Sequence, residues 1–352
     1  MFLPAGVRNY SYAQDMAIFR TKTQWVLLGV LLLLLMVMPS FLSNYWLSVC
    51  NIIAITIIAA TGLNILTGYC GQLSIGHAGF IAVGAYTSAI LSGQLGMPFL
   101  LSMLCGGLMA GFIGMLFGLP SLRVKGFYLA ISTIAAQFII MWVIRNWSEV
   151  TGGNIGLSVP TAEIFGYSFT SQASKYYLIL AITVLVIFFA KNLARTRPGR
   201  AFVAIRDNDL AAQVMGINLF RYKLLAFFIG CFFAGIAGSL LAHCYYGFLN
   251  PEFFDFKESI LYAGMIIIGG LGTSVGPIFG VILIRLLDSI LSLEVVPFLE
   301  THVTLFTSGW ASGLKPMIFG AVIVLFLILE PRGLAHRWQL FKTSYRIWPF
   351  SY

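Results

Sequence analysis

Ten apolar runs follow one another through this sequence, each long enough to cross, or nearly cross, a hydrocarbon core: 25–42, 46–66, 76–93, 97–119, 126–146, 176–194, 224–246, 258–271, 276–293 and 315–330. Lipid offers the backbone no hydrogen bonds, so only helices or a closed barrel can span it, and runs of this length have the helical size. The expected fold is an all-α polytopic membrane protein of about ten transmembrane helices. Only 9% of the 352 residues are charged, against about 25% in an average soluble domain.

The charges fall where they set an orientation. Arg123 and Lys125, then Lys191, Arg195, Arg197, Arg200, Arg206, Arg221 and Lys223, then Arg332, Arg337, Lys342 and Arg346 occupy alternate connections. The intervening ones carry Glu149 and Glu163, Glu252, Asp255 and Glu258, and Glu294 and Glu300. Basic loops stay inside, which predicts cytoplasmic termini: an N-terminal segment 1–24, a transmembrane part 25–330 and a tail 331–352. The net charge of +9 is then a matter of topology and not of nucleic-acid binding. The first run follows Arg8, Arg20 and Lys22 as a signal peptide would, but no small-x-small site follows Met38-Pro39-Ser40-Phe41, so it reads as an uncleaved anchor. Cys50, Cys70, Cys105, Cys231 and Cys244 form no C-x-x-C pair, which argues against zinc and against a disulfide framework.

One sizeable polar island interrupts the apolar chain at 199–217. Asn208 or Asp209 can cap a short helix, Leu210 and Val214 lie one turn apart, and Gly216 supplies a left-handed stop. One or two such turns are marginal alone and should dock on something. Leu210, Val214, Met215 and Ile217 stand among charges there, so the island reads either as a coupling helix for a partner or as an ordinary amphipathic loop.

Two glycine-rich stretches, 68–79 and 269–277, break helical regularity at membrane depth. Glycine costs a helix roughly 1 kcal/mol and proline about 3, so such clusters either pack closely or line a polar cavity. Their recurrence near the start of an apolar helix hints at a weak duplication. Gly107/Gly111, Gly114/Gly118 and Gly276/Gly280 have small-xxx-small spacing, which supports packing. Polar side chains at depth are costly unless they pair or face water, so Gln72, Ser74 and His77, preceded by Gly76, with Asn64 beside them and Gln137 from the fifth run, are pathway candidates. A plain interhelical hydrogen bond is the competing reading for His77, and backbone amides at that helix start are a further candidate for holding a carboxylate. Arg285 and Asp288, three apart, are expected to neutralise each other.

No H-E-x-x-H and no paired aspartates in facing spans occur, which argues against an intramembrane enzyme. Thr151-Gly152-Gly153-Asn154-Ile155-Gly156-Leu157 lacks the lysine of a phosphate loop and reads as a turn. An ion-coupled transporter usually shows a carboxylate buried mid-membrane, whereas the acids here fall in loops, apart from Asp288.

The polar island, the 68–79 stretch, Thr151-Gly152-Gly153, Asn250-Pro251-Glu252, Ile268-Gly269-Gly270-Leu271-Gly272-Thr273 and the closing Phe326-Leu327-Ile328-Leu329-Glu330-Pro331-Arg332-Gly333-Leu334 occur in one order. Together they closely resemble the permease subunits of branched-chain (hydrophobic) amino acid ABC importers, the LivM type, over about residues 45–338. The resemblance implies a heterodimer with a second, related permease, two cytoplasmic ATPase subunits that hold the ATP and magnesium, an extracytoplasmic substrate-binding protein, and a bacterial plasma membrane. No cofactor is expected on this chain. It further implies that 195–223 is the coupling loop, with Gly199, Arg200, Ala204, Arg206, Asp207, Asp209, Ala211, Ala212, Met215, Gly216 and Ile217 meeting an ATPase. Similar permeases carry urea, short amides or aromatic acids, so the cargo stays open at this stage.

Overall fold

The computed structural model describes residues 22–122, 126–295 and 308–347. Arg8, Arg20, Arg123, Lys125 and Glu300, and most of the expected 1–24 segment, lie outside them. The described chain is mostly helical: α1 (Lys22–Val37), α2 (Asn44–Leu63), α3 (His77–Gly93), α4 (Phe99–Gly118), α5 (Phe127–Asn146), α6 (Ser148–Thr151), α7 (Gln172–Leu193), α8 (Arg197–Asp207), α9 (Asp209–Val214), α10 (Leu219–Leu240), α11 (Phe256–Gly269), α12 (Gly276–Ile290), α13 (Ser308–Leu329) and α14 (Leu334–Ile347). Short strands β1 (Leu157–Ser158), β2 (Glu163–Ile164), β3 (Tyr167–Ser168) and β4 (Phe248–Leu249) form two small antiparallel ribbons, Leu157 opposite Leu249 and Glu163 opposite Ser168.

Each of the ten apolar runs forms a helix, but they are not equal. Six described helices are long and apolar enough to cross a membrane, and a seventh span exists if Gly313–Leu329 and Leu334–Ser344, bent by 43°, count as one. The other three runs are shorter. α3 and α11 have 17 and 14 residues, about 26 and 21 Å at 1.5 Å per residue, so each is shorter than a hydrocarbon core of about 30 Å. α2 and α10, by contrast, run on through π-helical turns to Tyr69 and Tyr246, and such turns favour functional places.

α2 and α10 are the centre of the molecule. Their apolar windows are 83% and 72% buried, against 28% for α7, because α10 is wrapped by α2, α3 and α4 while α7 turns an apolar face outward. Glycines make the centre dense: Gly107, Gly111, Gly114 and Gly118 of α4 seat Phe232, Phe228, Cys231 and Phe227 of α10, so the small-xxx-small spacing does serve packing. Outward-facing residues such as Phe112, Leu116, Phe138, Phe188 and Phe189 remain exposed, a surface suited to lipid. α1 lies on that rim, held by the Tyr176 and Tyr177 hydroxyls, which donate to the Leu35 and Met36 carbonyls at 3.0 Å each.

Candidate functional site

The polar island is larger than its sequence suggests. Besides the short helix α9, the three-turn helix α8 precedes it, started by Pro198 in the first turn and anchored by buried Ala201, Phe202 and Ile205. The Phe202 ring meets Tyr222 edge-on at 6.3 Å. Gly199 is buried against the Leu193 and Ala194 backbone, Ala204 is half-buried, and Arg200 and Ala211 are exposed. Asn208 caps α9, its Oδ1 accepting from the Ala211 amide at 3.1 Å, and Gly216 ends it at φ +82°. The apolar residues divide. Leu210, Val214 and Met215 are 67%, 87% and 81% exposed, whereas Ala212 is buried and Ile217 packs on the core. Asp209 reaches the buried ammonium of Lys223 at 3.9 Å.

Arg206 joins this module to both glycine-rich breaks. Its Nη1 donates to the Gly68 carbonyl at 3.0 Å, its stem covers Gly71, and its guanidinium abuts Gly272, while Nε and Nη2 hold Asp207 Oδ1 at 3.0 and 2.9 Å. The two breaks cross at that point. Asn64 donates to the Thr273 carbonyl and accepts from the Gly272 amide, both at 2.9 Å, and the Tyr69 and Ser274 hydroxyls pair at 3.1 Å. A Cβ on Gly68 would run into the Gly272 backbone and the Asn64 carboxamide, so only glycine allows this approach.

The remaining pathway candidates separate by partner. Gln137 is satisfied at both ends, donating to the Phe254 carbonyl at 3.2 Å and accepting from Ser259 Oγ at 2.6 Å. Asn64, likewise, is a structural clamp. Gln72, Ser74 and His77 are buried, and Gln72 Oε1, Ser74 Oγ and His77 Nδ1 find no hydrogen-bond partner among the described residues. Such an orphaned atom costs about 1–3 kcal/mol, and three of them sit within 72–77. His77 Nε2 carries the ring proton, because its neighbour at 2.9 Å is the Ala59 carbonyl, which can only accept. The helix-start amides expected to attract a carboxylate are partly taken: Ile75 donates to Thr133 Oγ1 at 3.0 Å and Ala78 to Ser259 Oγ at 2.8 Å, with Gly76 packed on the Thr133 backbone.

Strip 72–77 lies between two cavities. One, of about 340 Å³, is lined by Gln72, Leu129, Arg206, Asn208, Asp209 and Lys223. The other, of about 320 Å³, reaches Ala78, just past the far end of the strip. Sequence reasoning missed the charges of this second cavity. Arg285 does not pair with Asp288: its Nη2 holds Glu258 Oε2 at 3.3 Å, and Asp288 lies 3.7 Å from Lys315. Glu258, read as a loop acid, sits in the first turn of α11. The available signal was Asp255, an N-cap residue one position before that helix. Among the described residues no group of acidic, histidine or cysteine side chains could hold a metal.

A densely packed helical core with a lipid-facing rim, two broken helices and a buried polar strip between two cavities defines a multi-pass membrane permease. The chain belongs to the family described as branched-chain amino acid transport system / permease component, which matches residues 45–327. It is 32% identical over 338 residues to the high-affinity branched-chain amino acid transport system permease protein LivM of Escherichia coli K12, covering 89% of this chain and 75% of the relative. The high-affinity branched-chain amino acid transport system permease protein LivH of the same organism is 24% identical over 81% of this chain and 92% of LivH. An autoinducer 2 import system permease, LsrC of an Enterobacter strain, is 28% identical over 72% of this chain and 67% of LsrC. No solved structure matches the chain. Like its relatives the chain is a transport subunit and not an enzyme.

Proposed function

We propose that this chain is one of two related permease subunits of an ATP-driven importer for branched-chain or other hydrophobic amino acids in a bacterial plasma membrane. The similarity to both LivM and LivH supports a pair of unlike permeases, each supplying half of the pathway. Two ATPase subunits, carrying ATP and magnesium, dock from the cytoplasm, and a binding protein delivers cargo from outside. In this reading all ten apolar helices lie within the membrane region 25–330, α3 and α11 as short helices backed by neighbours; 1–24 and 331–352 face the cytoplasm with loop 195–223.

The observation that carries this reading is the exposed Leu210, Val214 and Met215 on α9, adjoining Arg206 and thus the crossing at Gly68 and Gly272. Closure of the ATPases drags α8 and α9, Arg206 transmits the movement to both breaks, and the packed helices tilt as rigid bodies to switch access. Gln72, Ser74 and His77 then line the route. Within the coupling loop Gly199, Ala204 and Ala212 face their own chain, so Ala212→Glu would damage the fold of the loop itself; the exposed trio is the better probe. Purification of the tagged chain in mild detergent is expected to recover a second permease and two ATPases. The triple change Leu210→Asp, Val214→Asp, Met215→Asp is expected to lose the ATPases and keep the second permease. Undiminished ATPase recovery with that variant removes the coupling assignment.

A further inference from the structure

Lys191, Arg195 and Lys342 gather where α7 ends and α14 passes, and nothing in the transport reading has used them. α14 leaves α13 at a bend of 43°, and Gly333, at φ +78°, lets it start against the Gly270 backbone. Leu334, Trp338 and Phe341 recur at helical spacing and share a face. On it Leu334 packs against the core and the Trp338 ring meets Phe279 of α12 edge-on at 6.0 Å. That face is only partly covered: Trp338 and Phe341 stack on each other at 5.9 Å and remain at least half exposed, as does Leu340. Lys191 reaches the same place from α7, lining with Pro277 of α12 a crevice of about 10 Å³, room for one water at most. Arg195 and Lys342 are near enough for their charges to act on Lys191.

Negative charge is scarce around them. The described acids on this side, Asp207, Asp209 and Glu330, are engaged by Arg206, Lys223 and Arg337, so Arg195 and Lys342 have no carboxylate among the described residues. Cations gathered at a membrane boundary attract anionic headgroups. One turn deeper than Lys191, Phe188 is exposed, so apolar surface continues from the cations toward lipid. We propose that Lys191, Arg195 and Lys342 bind the headgroup phosphate of an anionic phospholipid, whose glycerol and acyl chains lie against Trp338, Phe341 and Phe188. A soluble phosphate would use the cations and leave the aromatic surface in water; the two together select a lipid. A zwitterionic headgroup brings a cation of its own and gains less. The proposal needs only that the chain spans a membrane, and not which substrate or subunits it works with. Because α14 starts on Gly270, the lipid steadies a helix that touches the second glycine-rich break.

The test uses the tagged full-length chain, with the subunits that accompany it, purified in mild detergent and washed free of lipid. Binding of phosphatidylglycerol with a fluorescent acyl chain is measured, with unlabelled phosphatidylglycerol, phosphatidylcholine and glycerol 3-phosphate as competitors. The expected result is that phosphatidylglycerol displaces the label and the other two do not at a hundredfold excess. Arg195→Gln with Lys342→Gln weakens binding at least tenfold, and the charge-keeping pair Arg195→Lys with Lys342→Arg retains it. Arg145→Gln with Lys257→Gln removes the same charge from exposed positions at the other end of the molecule and leaves binding unchanged. Size exclusion reports that each variant is folded. Equal displacement by phosphatidylcholine overturns the charge assignment, and displacement by glycerol 3-phosphate overturns the lipid in favour of a soluble phosphate. Equal weakening by the two glutamine pairs, or loss of binding in the charge-keeping pair, overturns the site. If the Arg195 and Lys342 glutamine pair binds the label as the wild type does and instead loses a co-purifying subunit, the cations serve a protein partner and the proposal falls.

Discussion

At one end of α2, Asn64 and Gly68 meet residues 272–274 so closely that no side-chain carbon fits between the backbones. At the other end, 19 residues or about 29 Å along the same helix, Tyr45 and Ser48 face an open cavity holding an arginine and a glutamate. The first end is closed by backbone hydrogen bonds and glycine, which leave it one geometry. The second is closed by nothing but side chains, which can move. A permease needs both kinds of construction: a rigid joint that receives force without yielding, and a compliant chamber that takes a ligand. Packed interiors switch between discrete arrangements and do not deform smoothly, so a dense joint next to the polar module is the better transmitter.

The comparison is broken most severely at the joint. Gly68→Val places a branched side chain against the Gly272 backbone and Asn64, where nothing flexible can give way. The expected result is uptake at background, with the variant poorly recovered from membranes. Normal uptake by this variant would mean that the crossing is not the tight joint described. A much smaller change is expected at Asn208→Ala. It removes the cap of α9, costing about 1 kcal/mol, and because α9 has only six residues the loss is felt as fraying. Uptake should fall a few-fold and the purified complex should retain its subunits, as read by transport assay and size exclusion. A loss as complete as that of Gly68→Val would show that the cap does more than hold one helix.

Most of the architecture was legible because apolar length and glycine clustering are properties of contiguous sequence. The ten runs all formed helices, Asn208 and Gly216 capped and ended α9 as their chemistry required, and the two glycine-rich stretches did break their helices. The misreadings share a cause, which is that they concern partners distant in sequence. Arg285 lies 27 residues from Glu258, and spacing along one helix pointed to Asp288 instead. Gln137 and Asn64 hold Ser259, Phe254, Gly272 and Thr273 by hydrogen bonds that no spacing along the chain announces. α8 was hidden because Pro198 and Gly199 weaken a helical pattern that the burial of Phe202 and Ile205 restores. The span count depends on length: α3 and α11 carry the apolar signal of a crossing helix in 17 and 14 residues.

The central claim is that Arg206 carries movement from the polar helix pair to both glycine-rich breaks. It is tested most directly by reconstituting the complete complex with Arg206→Ala and measuring ATP hydrolysis and amino acid uptake in the same vesicles. Removal of the guanidinium cuts the bond to Gly68 and the contact with Gly272 while leaving Leu210, Val214 and Met215 in place. Hydrolysis is therefore predicted to continue while uptake falls at least tenfold. Uptake per ATP equal to that of the wild type would contradict the account.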